Sequence, residues 1–184
     1  MKNLFFALML TIFLAGPAAA LEVAGVTLEP ALTANGHTLK LNGYGIRKRF
    51  FVKVYIGSLY SERRLATAAE ALADSGDKVI RMNFLHSRVE KGKITEAFSE
   101  GFANNSPELA GSAEAKRFLS FFSADFSKGD VVDLSLGGDG TVSATHNGRS
   151  LGTIKSARLA HGILAIYLGE RPADEALKTG MLGK

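Results

Sequence analysis

Apolar and polar residues alternate from Leu21 to Tyr60, a period of two that is typical of β-strands with one buried face. Leu39 and Leu41 are expected to face the core, with Asn42 on the opposite side of its strand. A second apolar row is expected at Phe50, Val52, Val54 and Ile56. Glycines at positions 36, 43, 45 and 57 are expected to form turns or bulges.

The middle of the chain changes to the spacing of helices. A helix is expected from Ala66 to Asp74, and the alternation of Lys78 to Leu85 predicts a strand after it. The next helix would bury the stripe formed by Ile94, Ala97, Phe98 and Phe102. A further helix beginning near Ser112 would bury Ala115, Phe118, Leu119, Phe122 and Phe126.

Strand periodicity resumes at Val132 and continues through two hairpin turns, at residues 137–140 and at Asn147-Gly148. A helix follows whose apolar face consists of Leu159, Ile163 and Ile166, and a last short helix is expected over Asp174–Met181. Along the chain, strands come first, helices follow in the middle, and hairpins come near the end. This order predicts an α+β fold. Its mainly antiparallel sheet would be covered by a layer of helices.

The first 20 residues have the order of a secretory signal peptide. Lys2 gives a positive start, an apolar run extends from Leu4 to Ala15, and small residues follow Pro17. The apolar run is shorter than the roughly 20 residues that a membrane-spanning helix needs. We expect a signal peptide at 1–20 that is cleaved after Ala20, a single domain at 21–184, no transmembrane segment after cleavage, and secretion into the periplasm. The alternative is an N-terminal anchor that is not removed.

The composition argues against several kinds of chemistry. The chain has no cysteine, which excludes disulfides, thiolate catalysis and cysteine-held metals. The formal net charge is +4, but the basic residues are scattered apart from 47–49 and 63–64, so we expect no nucleic-acid partner. The 4 histidines lie far apart in sequence without metal-ligand spacing, so neither a metal nor a cofactor is expected.

Arg47 is the first candidate for a ligand-binding residue. It follows Gly45 by two positions where an apolar strand begins, so its guanidinium could point into the domain. A buried arginine needs an anion, because an unpaired charge in a low dielectric is strongly destabilising. The anion could be an internal Asp or Glu or the carboxylate of a ligand. A solvated arginine at a turn is also compatible with the sequence.

The segment from Leu41 to Glu62 contains an ordered pattern: two glycines and an arginine at alternate positions, an apolar strand with a lysine, an aliphatic-tyrosine pair and an acidic residue. The matching residues are Gly43, Gly45, Arg47, Phe51, Lys53, Leu59, Tyr60 and Glu62. This pattern resembles the chalcone isomerase-like family. The resemblance continues at 93–96, 118–122 and 128–130 and at Tyr167, Leu168, Gly169 and Pro172. It implies an open-faced sandwich of sheet and helices with a ligand cleft between the layers.

The resemblance bears on catalysis through four positions. In the family's isomerases the arginine, here Arg47, holds the oxyanion of the flavonoid precursor. The tyrosine and asparagine that these enzymes also use correspond to Glu90 and Ala97, and neither residue can supply the same hydrogen bond. The threonine of the active-site strand corresponds to Tyr55. Most of the isomerase apparatus is therefore missing, and we expect no chalcone isomerase activity.

Non-catalytic members of the family resemble fatty-acid-binding proteins, in which the arginine binds the carboxylate and an apolar cavity binds the tail. The resemblance implies a periplasmic binding or carrier protein for a small amphipathic carboxylate or lipid, such as a fatty acid. Its implied ligand-binding residues are Arg47, Tyr55 and Thr95. Side chains that could wall the cavity, although most are expected to fill the core, are Phe84, Phe98, Phe102, Phe118 and Phe122.

Two alternatives remain open. One is an isomerase, an intramolecular lyase acting on an unknown substrate, because one preorganised cation can stabilise a developing oxyanion. The other is an envelope protein with a structural or partner-binding role, in which residues 47–49 form a surface contact. The burial of Arg47 separates these hypotheses. The leader favours a lipid ligand, since lipids are abundant in the envelope and flavonoid precursors are not.

Overall fold

A computed structural model describes residues 21–184, and the predicted signal peptide lies outside the described residues. The strands are β1 (Leu21–Val23), β2 (Val26–Leu28), β3 (Ala31–Ala34), β4 (His37–Arg49), β5 (Val52–Ser61), β6 (Lys78–Phe84), β7 (Arg88–Val89), β8 (Phe126–Ser127), β9 (Val131–Leu136), β10 (Thr141–His146) and β11 (Arg149–Lys155). The helices are α1 (Ala68–Ala73), α2 (Lys91–Asn105), α3 (Ala113–Leu119), α4 (Ala157–Leu168) and α5 (Glu175–Met181). None of the helices formed by residues 21–184 is long and apolar enough to cross a bilayer.

Seven strands form one antiparallel sheet in the order β11-β10-β9-β6-β5-β4-β3, and the remaining strands form two small pairs. The main core lies between this sheet and the helices, and it joins sheet residues such as Leu59 and Ile80 to Phe118 and Ile163 of the helices. The predicted α+β class, an antiparallel sheet covered by helices, is confirmed.

Helix α5 packs directly on β4, and two glycines make this possible. A Cβ atom at Gly45 would lie 2.8 Å from the Cα atom of Leu177, and one at Gly43 would overlap the carbonyl oxygen of Gly180. The glycines therefore lie within a continuous strand, with a register shift next to Gly43, and permit close contact between backbones. Alternation places Arg47 next on the same face, just beyond the N-terminal end of the helix.

Asn42 corrects one expectation of the alternating pattern. It was predicted to face outward, but it is only 4% exposed. It does lie on the face of β4 opposite Leu39, which belongs to a separate small cluster, but α5 covers that face and buries the amide. There Asn42 donates to the carbonyl oxygens of Leu65 (2.9 Å) and Met181 (2.8 Å) and accepts from the Leu65 amide (2.7 Å). The side chain thus ties β4 to the end of α5.

Two expectations about phenylalanines are wrong. Helix α3 ends at Leu119, so Phe122 follows the helix and Phe126 lies in β8, although both are buried. The apolar spacing indicated burial there, not helical structure. Phe50 does not belong to a buried row, because Phe50 and Phe51 form the exposed two-residue turn between β4 and β5.

Candidate functional site

A cavity of about 620 Å³ opens between the β4–β5 hairpin and the first half of α2. This volume falls within the range of roughly 300–1,000 Å³ that is common for small-ligand sites. The apolar side chains in the lining are Phe50, Val52, Val54, Met82, Val89, Ile94, Ala97, Phe98 and Ile166. Exposed, mostly charged residues in the lining are Arg49, His86, Arg88, Glu90, Lys93, Glu96 and Glu100. An amphipathic molecule would find both kinds of surface here.

Arg47 and Tyr55 line the same part of the cavity because they are directly paired across β4 and β5. The Nη1 atom of Arg47 lies 3.5 Å from the Tyr55 hydroxyl oxygen, and its Cζ atom lies 5.9 Å from the ring centroid. Arg47 is half-buried, while Tyr55 is 3% exposed. The tyrosine ring therefore supports the arginine at the cavity wall.

Arg47 takes part in none of the ion pairs formed within residues 21–184. Its pKa is nevertheless raised, chiefly by Tyr55, although burial acts in the opposite direction. Asp174 contributes least to this pKa, and its carboxylate accepts hydrogen bonds from the amides of Leu177 (2.9 Å) and Lys48 (3.2 Å). The guanidinium is therefore permanently charged and free to pair with an anion from outside the protein.

Tyr167 lies beside this pair on α4 and also lines the cavity. Burial, followed by the influence of Tyr55, raises the pKa of Tyr167 well above its ordinary value, against the opposing effect of Arg47. Its hydroxyl donates to the Met82 sulfur at 3.4 Å. Tyr167 therefore stays neutral. It was not predicted as a site residue, although a tyrosine within the otherwise apolar stretch 163–168 was a usable signal.

Thr95, the third predicted ligand-binding residue, is not brought to Arg47 and Tyr55. Its hydroxyl donates to the carbonyl oxygen of Gly92 at 3.1 Å, and it is absent from the cavity lining. Helical spacing explains this placement, because Ile94, Ala97 and Phe98 form the face of α2 towards the cavity. Thr95 lies outside that stripe.

Glu90 and Ala97 do line the cavity, as the correspondence with the isomerases implies. Glu90 precedes the first turn of α2 and is exposed, and Ala97 faces the cavity from the second turn. The α2 side of the cavity therefore offers a carboxylate and a methyl group where an isomerase has two hydrogen-bonding side chains.

Of the phenylalanines predicted as possible walls, Phe98 lines the cavity and the others pack in the core behind it. Phe98 contacts Phe118 and Phe122 with ring centroids 5.1 Å and 5.2 Å apart. Phe84 stacks on Phe126 at 4.7 Å. These rings hold α2 and α3 against the sheet and so fix the position of the cavity wall.

The fold also gathers His37, Glu62 and Asp77 at the other end of β4, with their ligand atoms all within 4.8 Å of one another. Sequence spacing gave no sign of this cluster. The His37 Nδ1 atom lies 3.0 Å from the Glu62 carboxylate, which also accepts from the Asp77 amide at 3.1 Å. Asp77 accepts from Asn35 (2.9 Å) and from the Gly138 amide (2.7 Å). These hydrogen bonds join the turns at this end of the sheet.

Comparisons with known proteins agree with this fold. Residues 20–183 match the family model described as chalcone isomerase-like. Fatty-acid-binding protein 1 of Arabidopsis thaliana is 25% identical over 108 residues, which are 56% of this chain and 39% of the relative's length. A crystal structure of a fatty-acid binding protein from Arabidopsis thaliana is similar in fold. It has a TM-score of 0.67 and 20% identity, with 86% of this chain and 92% of the other covered.

Proposed function

The chain belongs to the chalcone isomerase-like family, and from this premise we propose that it binds a small amphipathic carboxylate, such as a fatty acid, in the cavity at Arg47. The family contains isomerases as well as non-catalytic fatty-acid-binding members. One observation carries the proposal. A half-buried arginine without a carboxylate partner among residues 21–184 lies next to a largely apolar cavity.

Each part of such a ligand has a partner in the cavity. The planar guanidinium of Arg47 can donate two parallel hydrogen bonds to a carboxylate. The Tyr55 oxygen accepts from Arg47, so its own O–H remains able to donate to the same carboxylate. The acyl tail would contact Val54, Met82 and Phe98, with a gain of about 0.8 kcal/mol for each CH₂ group that becomes buried.

We propose that the protein lacks chalcone isomerase activity. Ala97 offers no hydrogen bond to a reacting substrate, and a carboxylate at Glu90 would repel an anionic one. An assay for the cyclisation of naringenin chalcone should show no rate above background. If the protein had only a structural role, we would expect Arg47 to be fully exposed with no cavity beside it. Arg47 is instead half-buried and lies in the wall of a cavity, which favours a ligand.

We propose that binding takes place in the periplasm, where the protein acts as a lipid carrier. The support is the leader pattern of residues 1–20. Fractionation of cells that express the full chain tests this directly. A processed protein beginning at Leu21 in the periplasmic fraction is expected, and an unprocessed cytoplasmic protein would contradict the proposal.

The binding proposal is tested by identifying the lipid that co-purifies with the protein. Native protein is extracted with organic solvent, and the extract is analysed by mass spectrometry next to extracts of Arg47→Ala and Arg149→Ala. Arg149 is exposed on the edge strand β11 and serves as the matched control. Fatty acid in the wild type and in Arg149→Ala, but not in Arg47→Ala, is expected. An empty wild type that also fails to bind added fatty acid defeats the proposal.

A further inference from the structure

The turn between β4 and β5 exposes two adjacent phenylalanines to solvent. Phe50 is 87% exposed, Phe51 is fully exposed, and Val52 beside them is 43% exposed. Two large aromatic side chains in full contact with water at one point are unfavourable for an isolated molecule. We call residues 48–53 the aromatic tip.

Turn chemistry does not account for the two phenylalanines. Within residues 21–184, three other two-residue hairpin turns have glycine in the second position with positive φ: Ala24-Gly25, Asn35-Gly36 and Asn147-Gly148. The fourth turn has Phe50 at φ 53°, a conformation that is strained for a bulky side chain. Local stability opposes this pair, which indicates that its benefit comes from a contact outside the domain.

The charge around the aromatic tip indicates the kind of surface it would contact. Residues 46–61 include four basic side chains, Arg47, Lys48, Arg49 and Lys53, and no carboxylate. Lys48, Arg49 and Lys53 are exposed and take no part in the ion pairs formed within residues 21–184. The Arg49 guanidinium lies 5.8 Å from the Phe50 ring centroid. Aromatic rings flanked by cations on the same hairpin match the interface of a bilayer with anionic head groups.

We propose that the aromatic tip docks the protein on an anionic lipid surface. Phe50 and Phe51 enter the interface, and Lys48, Arg49 and Lys53 contact the head groups. Arg49, Phe50 and Val52 also line the cavity, so docking brings the cavity to the lipid surface. This inference goes beyond the proposed function, because docking does not require a bound fatty acid.

A single fluorescent probe tests the docking directly. The chain has no tryptophan, so Phe51→Trp reports on the aromatic tip alone. With vesicles of phosphatidylcholine and phosphatidylglycerol, its emission should shift to the blue and be quenched by brominated lipid. Thr38→Trp, exposed near the opposite end of β4, is the control and should show neither effect. An unchanged Phe51→Trp emission in the presence of vesicles overturns the proposal.

A second variant separates docking from folding. Phe50→Asn with Phe51→Gly installs the turn that the chain uses at Asn35-Gly36 and at Asn147-Gly148. The melting temperature should be unchanged or higher, and co-sedimentation with the anionic vesicles should fall about tenfold. Binding in the wild type should weaken with added salt and be absent with phosphatidylcholine alone.

Three results would overturn the inference. They are vesicle binding by the double variant equal to that of the wild type, equal binding to neutral vesicles, and dimerisation through the phenylalanine pair without lipid. Arg47→Met is expected to lose fatty-acid affinity yet bind vesicles normally. Failure of docking and failure of the proposed ligand binding are therefore distinguishable.

Discussion

Arg47 and Tyr55 face each other across two neighbouring strands, and the guanidinium lies 3.5 Å from the phenol oxygen. Gly43 and Gly45 let α5 lie close to β4. Arg47 comes next on the same face of the strand, beyond the N-terminal end of α5, and lines the cavity there. A fixed cation and a hydroxyl thus meet at one wall of a largely apolar cavity. The predictions below concern this pair, the cavity and the packing that holds them.

Tyr55→Phe should weaken fatty-acid binding about tenfold, because it removes the second hydrogen-bond donor to the carboxylate but keeps the ring. Isothermal titration with a fatty acid measures this change. Tyr60→Phe is the control, since the Tyr60 hydroxyl donates to the Glu29 carbonyl oxygen at 3.0 Å, away from the cavity lining. It should lower stability by about 1 kcal/mol without a change in affinity. An unchanged affinity in Tyr55→Phe would remove Tyr55 from the site.

Ala97→Phe should fill the cavity from α2 and reduce fatty-acid affinity at least about tenfold, because the ring occupies space otherwise available to the acyl tail. Thermal unfolding should show little loss of stability. Ala103→Phe, on an exposed position of the same helix, should leave the affinity unchanged. Equal affinities of these two variants and the wild type would show that the tail does not occupy this cavity.

Gly45→Ala should lower the free energy of unfolding by about 3 kcal/mol, because the new methyl group would lie 2.8 Å from the Leu177 Cα atom and push α5 off the sheet. Gly92→Ala is the matched control, since its methyl group would meet no atom within 4 Å in α2. It should raise stability by about 0.5 kcal/mol through helix propensity. Urea unfolding measures both changes. A neutral Gly45→Ala would contradict the contact between α5 and β4.

Asp74 should make stability depend on pH in acid. Burial alone would raise its pKa, but hydrogen bonds from Lys78 and Arg63 outweigh burial, and the folded-state pKa is lowered. The stabilisation that ionised Asp74 provides is therefore fully present above about pH 4, which is near the pKa of the carboxyl group in the unfolded chain. It is lost as the pH falls through the lower pKa of Asp74 in the folded protein.

Asp74→Asn should accordingly lower stability by about 3 kcal/mol at neutral pH, because Lys78 is only 4% exposed and loses its charged partner. The difference from the wild type should shrink as the pH falls below about 4. Denaturant unfolding at a series of pH values measures it. Glu96→Gln, in the exposed pair with Lys93, should change little at any pH. A difference that does not depend on pH would contradict the assignment to Asp74.

The sequence predicted those elements in which the local pattern of apolar and polar residues matches the burial in the fold. Alternation located the long strands, turn residues located the hairpins, and the ordered pattern around Arg47 identified the family and the cation in the cavity. Tyr55 lines the cavity because it is paired with Arg47 across the same two strands, and its part in ligand binding stays a prediction.

Other features depend on tertiary contacts that the local pattern does not contain. Helix α5 covers the face of β4 that carries Asn42, and Thr95 lies outside the stripe of α2 that faces the cavity. Phe50 resembled a core residue in the alternating pattern, but its hairpin turn placed it in solvent. The space between the sheet and α2, which forms the cavity, depends on how the layers pack, and no single segment specifies it.

The most direct test compares a fatty acid with the fatty alcohol of the same length, each titrated into the wild type and Arg47→Met. The wild type should prefer the acid, and Arg47→Met should lose about tenfold or more of its affinity for the acid while its affinity for the alcohol stays the same. Such a result assigns the carboxylate to Arg47 and the tail to the cavity. Equal losses for acid and alcohol, or no loss for either, would contradict the account.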